Sequence, residues 1–152
     1  MVLIISLPIL TFLIAFLGGL SNSFTDWSWY ESLEQSSLRP PNYIFGIVWP
    51  ILYTLMAVVS FLQAKLIYKV YIFQLILNGA WSWIFFAHQA LTLALFDIII
   101  LIILNVIILR KLWTNNSYVS FFLYLPYVLW ISFASYLNAC LLYTSDAADD
   151  SG

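Results

Sequence analysis

The chain has 152 residues, of which 64% are hydrophobic and 8% are charged, and its mean hydropathy is +0.98. A soluble domain of this length cannot bury so much apolar surface, because many residues of a small domain face water. The net charge of −2, without a basic cluster, argues against nucleic-acid binding. Since one bilayer span takes about 20 apolar residues, we predict an all-α membrane protein, a five-transmembrane-helix bundle that forms one domain over residues 1–143.

Polar or charged segments separate the five predicted spans. We expect the spans at residues 2–19, 42–64, 70–87, 91–109 and 118–143. Segment 21–41 is the one long connector, and it holds Trp27, Trp29 and Tyr30, aromatic residues suited to a membrane interface. Residues 144–152 are acidic and resemble translated cloning sequence, so we predict that this tail is not native.

The basic residues predict the orientation of the chain in the membrane. Lys65 and Lys69 form the predicted second loop, and Arg110 and Lys111 begin the predicted fourth loop, both on the side of the N-terminus. The opposite side carries Arg39 alone. We therefore expect the N-terminus on the positive, cytoplasmic side, with the long first loop and the C-terminus on the other side.

Span two carries a stripe of large side chains on one face. Phe45, Trp49, Tyr53 and Met56 recur at steps of four, four and three residues, which places them on the same side of a helix. Such a face can bind a flat apolar ligand, or it can pack against other helices. The spacing alone leaves both interpretations open.

Span three carries a polar stripe bordered by aromatic residues. Gln74, Asn78 and Ser82 follow one another at four-residue steps, beside Trp81 and Phe85. Because an amide group facing lipid is costly, this stripe is expected to face the interior of the bundle.

Span five repeats the combination of aromatic, small and amide side chains. Tyr127, Trp130, Ala134 and Asn138 share one face directly after Pro126, a residue expected to kink the helix. Spans two, three and five thus present aromatic and amide groups at matched depth. We expect them to converge either on a binding cavity or on a packed core.

Asp97 is the only acidic residue inside a predicted span. A charged side chain in the middle of a membrane helix costs about 2.5–3.5 kcal/mol on insertion scales. Asp97 is therefore either a pocket or proton-linked group, or it is protonated or hydrogen-bonded to a neighbouring helix. Asn105, two turns further along the same face, is a candidate partner for the second role.

The chain offers few groups for metal or covalent chemistry. It has one histidine and one cysteine, so we predict neither a metal site nor an internal disulfide. The sequence shows neither a glycine-rich phosphate loop nor a nucleophile with an adjacent base.

Several sequence blocks, read in order, carry a specific family resemblance. They are Trp29-Tyr30, Pro40-Pro41-Asn42, Phe45-Gly46-Ile47-Val48-Trp49, Gln74-Leu75-Ile76-Leu77-Asn78, Trp81-Ser82, Pro126-Tyr127-Val128-Leu129-Trp130 and Leu137-Asn138. In these blocks the chain resembles the TspO/MBR family of tryptophan-rich membrane proteins. The resemblance extends over residues 29–138.

The resemblance implies a five-helix bundle, often a homodimer, with a pocket between the helices that the first loop covers as a lid. Such pockets bind tetrapyrroles such as protoporphyrin IX and, in some members, sterols or benzodiazepine-like drugs; no further cofactor is implied. The positions implied here, together with those of the stripes, are Trp29, Phe45, Trp49, Tyr53, Asn78, Trp81, Asp97, Tyr127, Trp130, Ala134 and Asn138.

Three functional interpretations follow from the residues and the resemblance. The first is a tetrapyrrole-binding sensor, scavenger or carrier. The second is light-dependent porphyrin degradation, which some bacterial members of the family are reported to promote and for which Trp29, Trp49 and Trp130 would be the catalytic residues. The third is a sterol-binding or purely structural membrane subunit. Span five lacks the basic residue of the short sterol-binding pattern, which lowers the expectation of sterol recognition.

Overall fold

The computed structural model describes residues 2–32 and 41–151, without the side chains of residues 31, 32, 42 and 144–151. Its α-helices are α1 (Val2–Leu20), α2 (Trp27–Ser32), α3 (Asn42–Leu62), α4 (Ala64–Ser82), α5 (Leu91–Thr114) and α6 (Tyr118–Ser151). A short 3₁₀ turn follows α1, and a π-helical turn, Trp83–Ala87, continues α4.

Five helices of the described ranges are long and apolar enough to cross a membrane. These candidate spans are Val2–Phe24, Tyr43–Leu62, Ala64–Ala87, Leu91–Thr114 and Tyr118–Tyr143. The predicted fold class, an all-α membrane protein with five transmembrane helices, is therefore confirmed. The predicted end of the domain at residue 143 and the non-native tail remain predictions.

The predicted second and fourth loops were too long. α3 ends at Leu62 and α4 begins at Ala64, so Gln63 alone connects them and the lysines of the predicted loop lie in the first turns of α4. Likewise α5 continues through Arg110 and Lys111 to Thr114. Long basic side chains can extend from a helix to the headgroup layer, so they do not require a loop. Arg110 and Lys111 also lie near the C-terminus of α5, where the negative end of the helix dipole favours positive charge.

The five long helices surround one core. α1 packs against α3 and α4, α4 packs against α5, α5 packs against α6, and α6 packs against α3, which closes the ring. The largest side chains buried at its centre include Tyr71, Tyr124, Tyr127 and Met56. Residues 33–40 of the predicted lid, including Arg39, lie outside the described part of the chain.

Glycines allow α1 and α4 to approach each other closely. A Cβ atom on Gly79 would lie 3.2 Å from Cγ2 of Ile14, and one on Gly18 would lie 3.7 Å from Oγ of Ser82. A distance of 3.2 Å is tight for carbon atoms, so a side chain at Gly79 requires the Ile14 side chain on α1 to shift by a few tenths of an ångström. By contrast, a Cβ on Gly46 would meet no described atom within 4 Å.

We therefore expect Gly79→Leu to destabilise the bundle by about 1–3 kcal/mol, because overpacking a tight helix contact shifts backbone and side chains. The measurement is thermal unfolding of the detergent-solubilised protein, followed by circular dichroism. Gly46→Leu is the matched control, and we expect it to be neutral or stabilising because leucine favours a helix more than glycine does. Equal stability of the two variants would contradict the close packing of α1 on α4.

Candidate ligand-binding cavity

A cavity of about 680 Å³ lies between α1, α3, α4 and α6, next to α2. Its size falls in the range of about 300–1,000 Å³ that is usual for small-molecule sites. Seven of the predicted ligand-binding residues line it. They are Phe45, Trp49, Tyr53, Trp81, Trp130, Ala134 and Asn138.

One wall of the cavity is a group of aromatic rings from α3 and α6. The rings of Trp49 and Trp130 are perpendicular, with centroids 6.3 Å apart, and Phe45 meets Trp130 edge-on at 5.5 Å. Tyr53 lies 5.5 Å from Trp49 in a tilted arrangement. Edge-to-face contacts of this kind hold the rings in fixed orientations, so this wall is shaped before any ligand arrives.

The opposite wall comes from α4 and is fixed by a hydrogen bond to α6. Trp81 stacks on Phe85 at 5.0 Å, and its indole N–H donates to Oδ1 of Asn138 at 3.2 Å. The amide of Asn138 in turn donates to the carbonyl oxygen of Leu91 at 3.1 Å. Asn138 therefore positions Trp81 and ties α6 to the start of α5.

One hydrogen-bond donor at the cavity wall remains unused. The indole N–H of Trp130 is shielded from water and has no acceptor among the described residues. Burying an N–H without a partner costs roughly 1–3 kcal/mol, so the Trp130 indole is held in place by its ring contacts and not by a hydrogen bond.

The short helix α2 closes one end of the cavity through Trp27 and Tyr30. Asp26 caps this helix, since its Oδ1 accepts hydrogen bonds from the Ser28 hydroxyl at 2.5 Å and from the backbone N–H groups of Ser28 and Trp29 at 3.1 and 3.3 Å. Trp29, the residue implied by the resemblance, does not line the cavity; its ring lies 6.2 Å from that of Phe85.

Asn78 and Tyr127 lie behind the cavity, where they form a hydrogen-bond network. The Tyr53 hydroxyl donates to Oδ1 of Asn78 at 2.6 Å, and the Asn78 amide donates to the Tyr127 hydroxyl at 2.9 Å. Tyr127 donates to Oε1 of Gln74 at 2.7 Å, which also accepts from the Asn105 amide at 3.2 Å. The network thus links α3, α4, α5 and α6, and Tyr53 is its member in the cavity.

Asp97 is buried on α5, with 7% of its surface exposed, and is not part of the cavity lining. Its Oδ2 has no hydrogen-bond partner among the described residues. The pairing suggested for Asp97 and Asn105 was wrong, because Asn105 donates to Gln74 and to the Leu101 carbonyl and accepts from Tyr124.

Helix α1 contributes to the cavity, although none of the predicted site residues lies in span one. Ala15, Gly18 and Gly19 line the cavity. Small residues near the end of an apolar helix were the available signal, but they do not show which helix lies opposite.

Comparison with known proteins places this architecture in a family. The model of the TspO/MBR family matches residues 6–144. The chain belongs to the TspO/MBR family. The membership predicted from the tryptophan-containing blocks is thereby confirmed, and the match covers every helix that lines the cavity.

Relatives with similar sequences occur in bacteria, archaea and animals. The chain is 34% identical to "Tryptophan-rich protein TspO" of Bacillus cereus over 124 residues, 74% of this chain and 78% of the relative. It is 34% identical to the protein of that name from Archaeoglobus fulgidus over 132 residues, 82% and 85% of the two chains. It is 32% identical to the human "Translocator protein" over 123 residues, 74% and 72% of the two chains.

Tyr127→Phe is expected to destabilise the TspO/MBR bundle by about 1–3 kcal/mol, because it leaves the Asn78 amide without its acceptor in a buried position. The readout is thermal unfolding in detergent. Tyr118→Phe removes a hydroxyl from an exposed hydrogen bond to Asn116 and serves as the control, with little change expected. A control that unfolds as early as Tyr127→Phe would argue against a stabilising role for the network.

The Asp26 cap predicts a pH effect on α2. Hydrogen bonds from the Ser28 hydroxyl and from the Trp29 and Ser28 amides hold the pKa of the Asp26 carboxyl below its usual 3.8. A lowered pKa in the folded state stabilises α2 above pH 3.8, and this stabilisation is lost as the pH falls through the lowered pKa.

Hydrogen exchange of the Ser28 and Trp29 amides tests this cap. We expect faster exchange in Asp26→Ala than in the parent at pH 6, after correction for intrinsic rates. Asp26→Asn keeps a hydrogen-bond acceptor but has no titrating group. In this variant the Ser28 and Trp29 amides should therefore stay protected from exchange at the acidic pH values at which the parent loses this protection. Equal protection in all three proteins would show that Asp26 does not cap α2.

Proposed function

We propose that this TspO/MBR protein binds a planar tetrapyrrole, such as protoporphyrin IX, in the cavity and acts as a membrane sensor, scavenger or carrier. The observation that carries the proposal is the perpendicular pair of Trp49 and Trp130 on the wall of a 680 Å³ cavity. A flat aromatic macrocycle can stack on one indole while its edge meets the other, which is the arrangement that ring quadrupoles favour.

Polar groups around the rings match the periphery of a tetrapyrrole. Asn22 and Ser82, which also line the cavity, offer an amide and a hydroxyl that can donate hydrogen bonds to propionate side chains. The residues present thus suit a ligand with a large apolar face and a few acceptors.

Protoporphyrin IX titration of the detergent-solubilised protein, followed by porphyrin fluorescence, tests the proposal. We expect saturable binding by the parent. The double variant Trp49→Phe/Trp130→Phe should raise Kd by about 5- to 150-fold, because each lost indole contact contributes about 0.5–1.5 kcal/mol beyond burial.

The matched control is Trp113→Phe, which makes the same change on α5 at a half-exposed residue outside the cavity. Its Kd should equal that of the parent. Saturable binding that is identical in the parent, the double variant and the control would place the ligand outside this cavity. Complete absence of saturable binding by the parent would instead favour the structural-subunit interpretation. Displacement of bound porphyrin by a sterol or a benzodiazepine-like compound would show that the cavity accepts a wider class of ligands.

Light-dependent porphyrin degradation is a second candidate, supported by the short distance between two oxidisable indoles, Trp49 and Trp130, at the cavity. Illumination of the bound porphyrin in air, followed by its absorbance, distinguishes the two. If the protein degrades porphyrin, the porphyrin absorbance band should disappear more slowly in the double variant than in the parent when the same fraction of each protein has porphyrin bound. If the protein only binds porphyrin, the band should bleach at the same rate in both. Trp29 does not line the cavity and is the weakest of the three catalytic candidates.

Orientation and assembly complete the proposal. Four basic residues, Lys65, Lys69, Arg110 and Lys111, lie near the α3–α4 connection and the end of α5, which supports placing the N-terminus on the cytoplasmic side. The homodimer implied by the family resemblance is part of the same proposal, and light scattering of the purified protein measures it.

A further inference from the structure

The side of the cavity between α1 and α3 is built from small residues. Ala15 and Gly19 come from the last turns of α1, and Gly46 and Pro50 come from the first turns of α3. The wall formed by α4 and α6, by contrast, contains indole and phenyl rings. We name the four small residues the α1–α3 seam.

The α1–α3 seam is open on its outer side as well. Gly19, Gly46 and Pro50 line the cavity and are also exposed on the surface of the bundle. A Cβ atom on Gly19 or on Gly46 would meet nothing within 4 Å among the described residues. Both glycines lie inside candidate spans, Val2–Phe24 and Tyr43–Leu62, so we expect the seam to face the bilayer near one of its surfaces.

The opening is confined to one half of the helix pair. In the other half, Leu7 of α1 packs in one buried cluster with Leu52 and Met56 of α3, and each of these residues is at most 4% exposed. Since α1 and α3 are consecutive spans and run in opposite directions, the small residues at the end of α1 lie opposite those at the start of α3. The helices therefore meet tightly in one half and leave a gap beside α2.

We propose that the α1–α3 seam is a lateral portal through which an apolar, planar ligand passes directly between the bilayer and the cavity. This inference rests on the proposed function, because it concerns the route of the ligand that the cavity binds. Only a molecule dissolved in the lipid can use such a route, so the ligand reaches the cavity without crossing water. The glycines matter because they leave room between two helix backbones for a flat ring.

Stopped-flow association of protoporphyrin IX with the full chain in phosphatidylcholine nanodiscs, followed by porphyrin fluorescence, tests the portal. Gly46→Trp places a large ring in the seam, and Gly19→Leu narrows it from the other helix. We expect the association rate of Gly46→Trp to fall by about tenfold and its dissociation rate to fall as well, because an obstacle on the route slows both directions. Gly19→Leu should show the same pattern to a smaller extent.

The matched control is Ile47→Trp, which adds the same ring one position further along α3, where the side chain is 55% exposed and does not line the cavity. Its rates should equal those of the parent. Parent-like association in both seam variants, with binding retained by the parent, overturns the portal and leaves the proposed function intact. A higher Kd with an unchanged association rate also overturns it, because the added side chain then affects the site and not the route.

Two checks keep the outcomes separate. If Gly46→Trp does not yield folded, monodisperse protein, Gly19→Leu gives the same comparison from the opposite wall. If the parent shows no saturable binding in nanodiscs or in detergent, the proposed function itself fails, and the portal fails with it.

Discussion

The structure depends on one set of buried hydrogen bonds between amide and phenol side chains. Lipid tails are as apolar as leucine, so apolar contacts alone do not drive membrane helices together, and buried polar bonds and close packing must do so. Gln74 and Asn78 on α4 reach Tyr53 on α3, Asn105 on α5 and Tyr127 on α6. A single helix thus fixes the depth and rotation of three neighbours.

The hydrogen-bond network lies between a tightly packed half of the bundle and the half that contains the cavity. Around and beyond the network, buried tyrosines and aliphatic side chains fill the interior. On the other side of the network, large rings line the walls of the cavity. Tyr53 belongs to both halves, because its ring borders the cavity and its hydroxyl bonds to Asn78. The shape of the cavity is therefore tied to the same bonds that hold the helices in register.

The sequence predicted the positions of polar side chains best, because a polar group that faces lipid costs much free energy. An amide such as Asn78 cannot face lipid, so its four-residue spacing identified the interior face of its helix. The end of the cavity at α2 was harder to predict, because a six-residue helix is too short to show a periodic pattern in the sequence. Trp27 lines the cavity there, whereas Trp29 was expected to. The role of Gly18 and Gly19 depends on which helices become neighbours, and residue spacing within α1 carries no information about that.

The connection between α3 and α4 has a consequence for how the protein enters the membrane. Gln63 is the single residue between the two helices. We therefore expect α3 and α4 to enter the bilayer together as a helical hairpin. Lys65 and Lys69 lie beside its apex. The tightest turn of the fold thereby carries two of the four positive charges on which the proposed orientation rests.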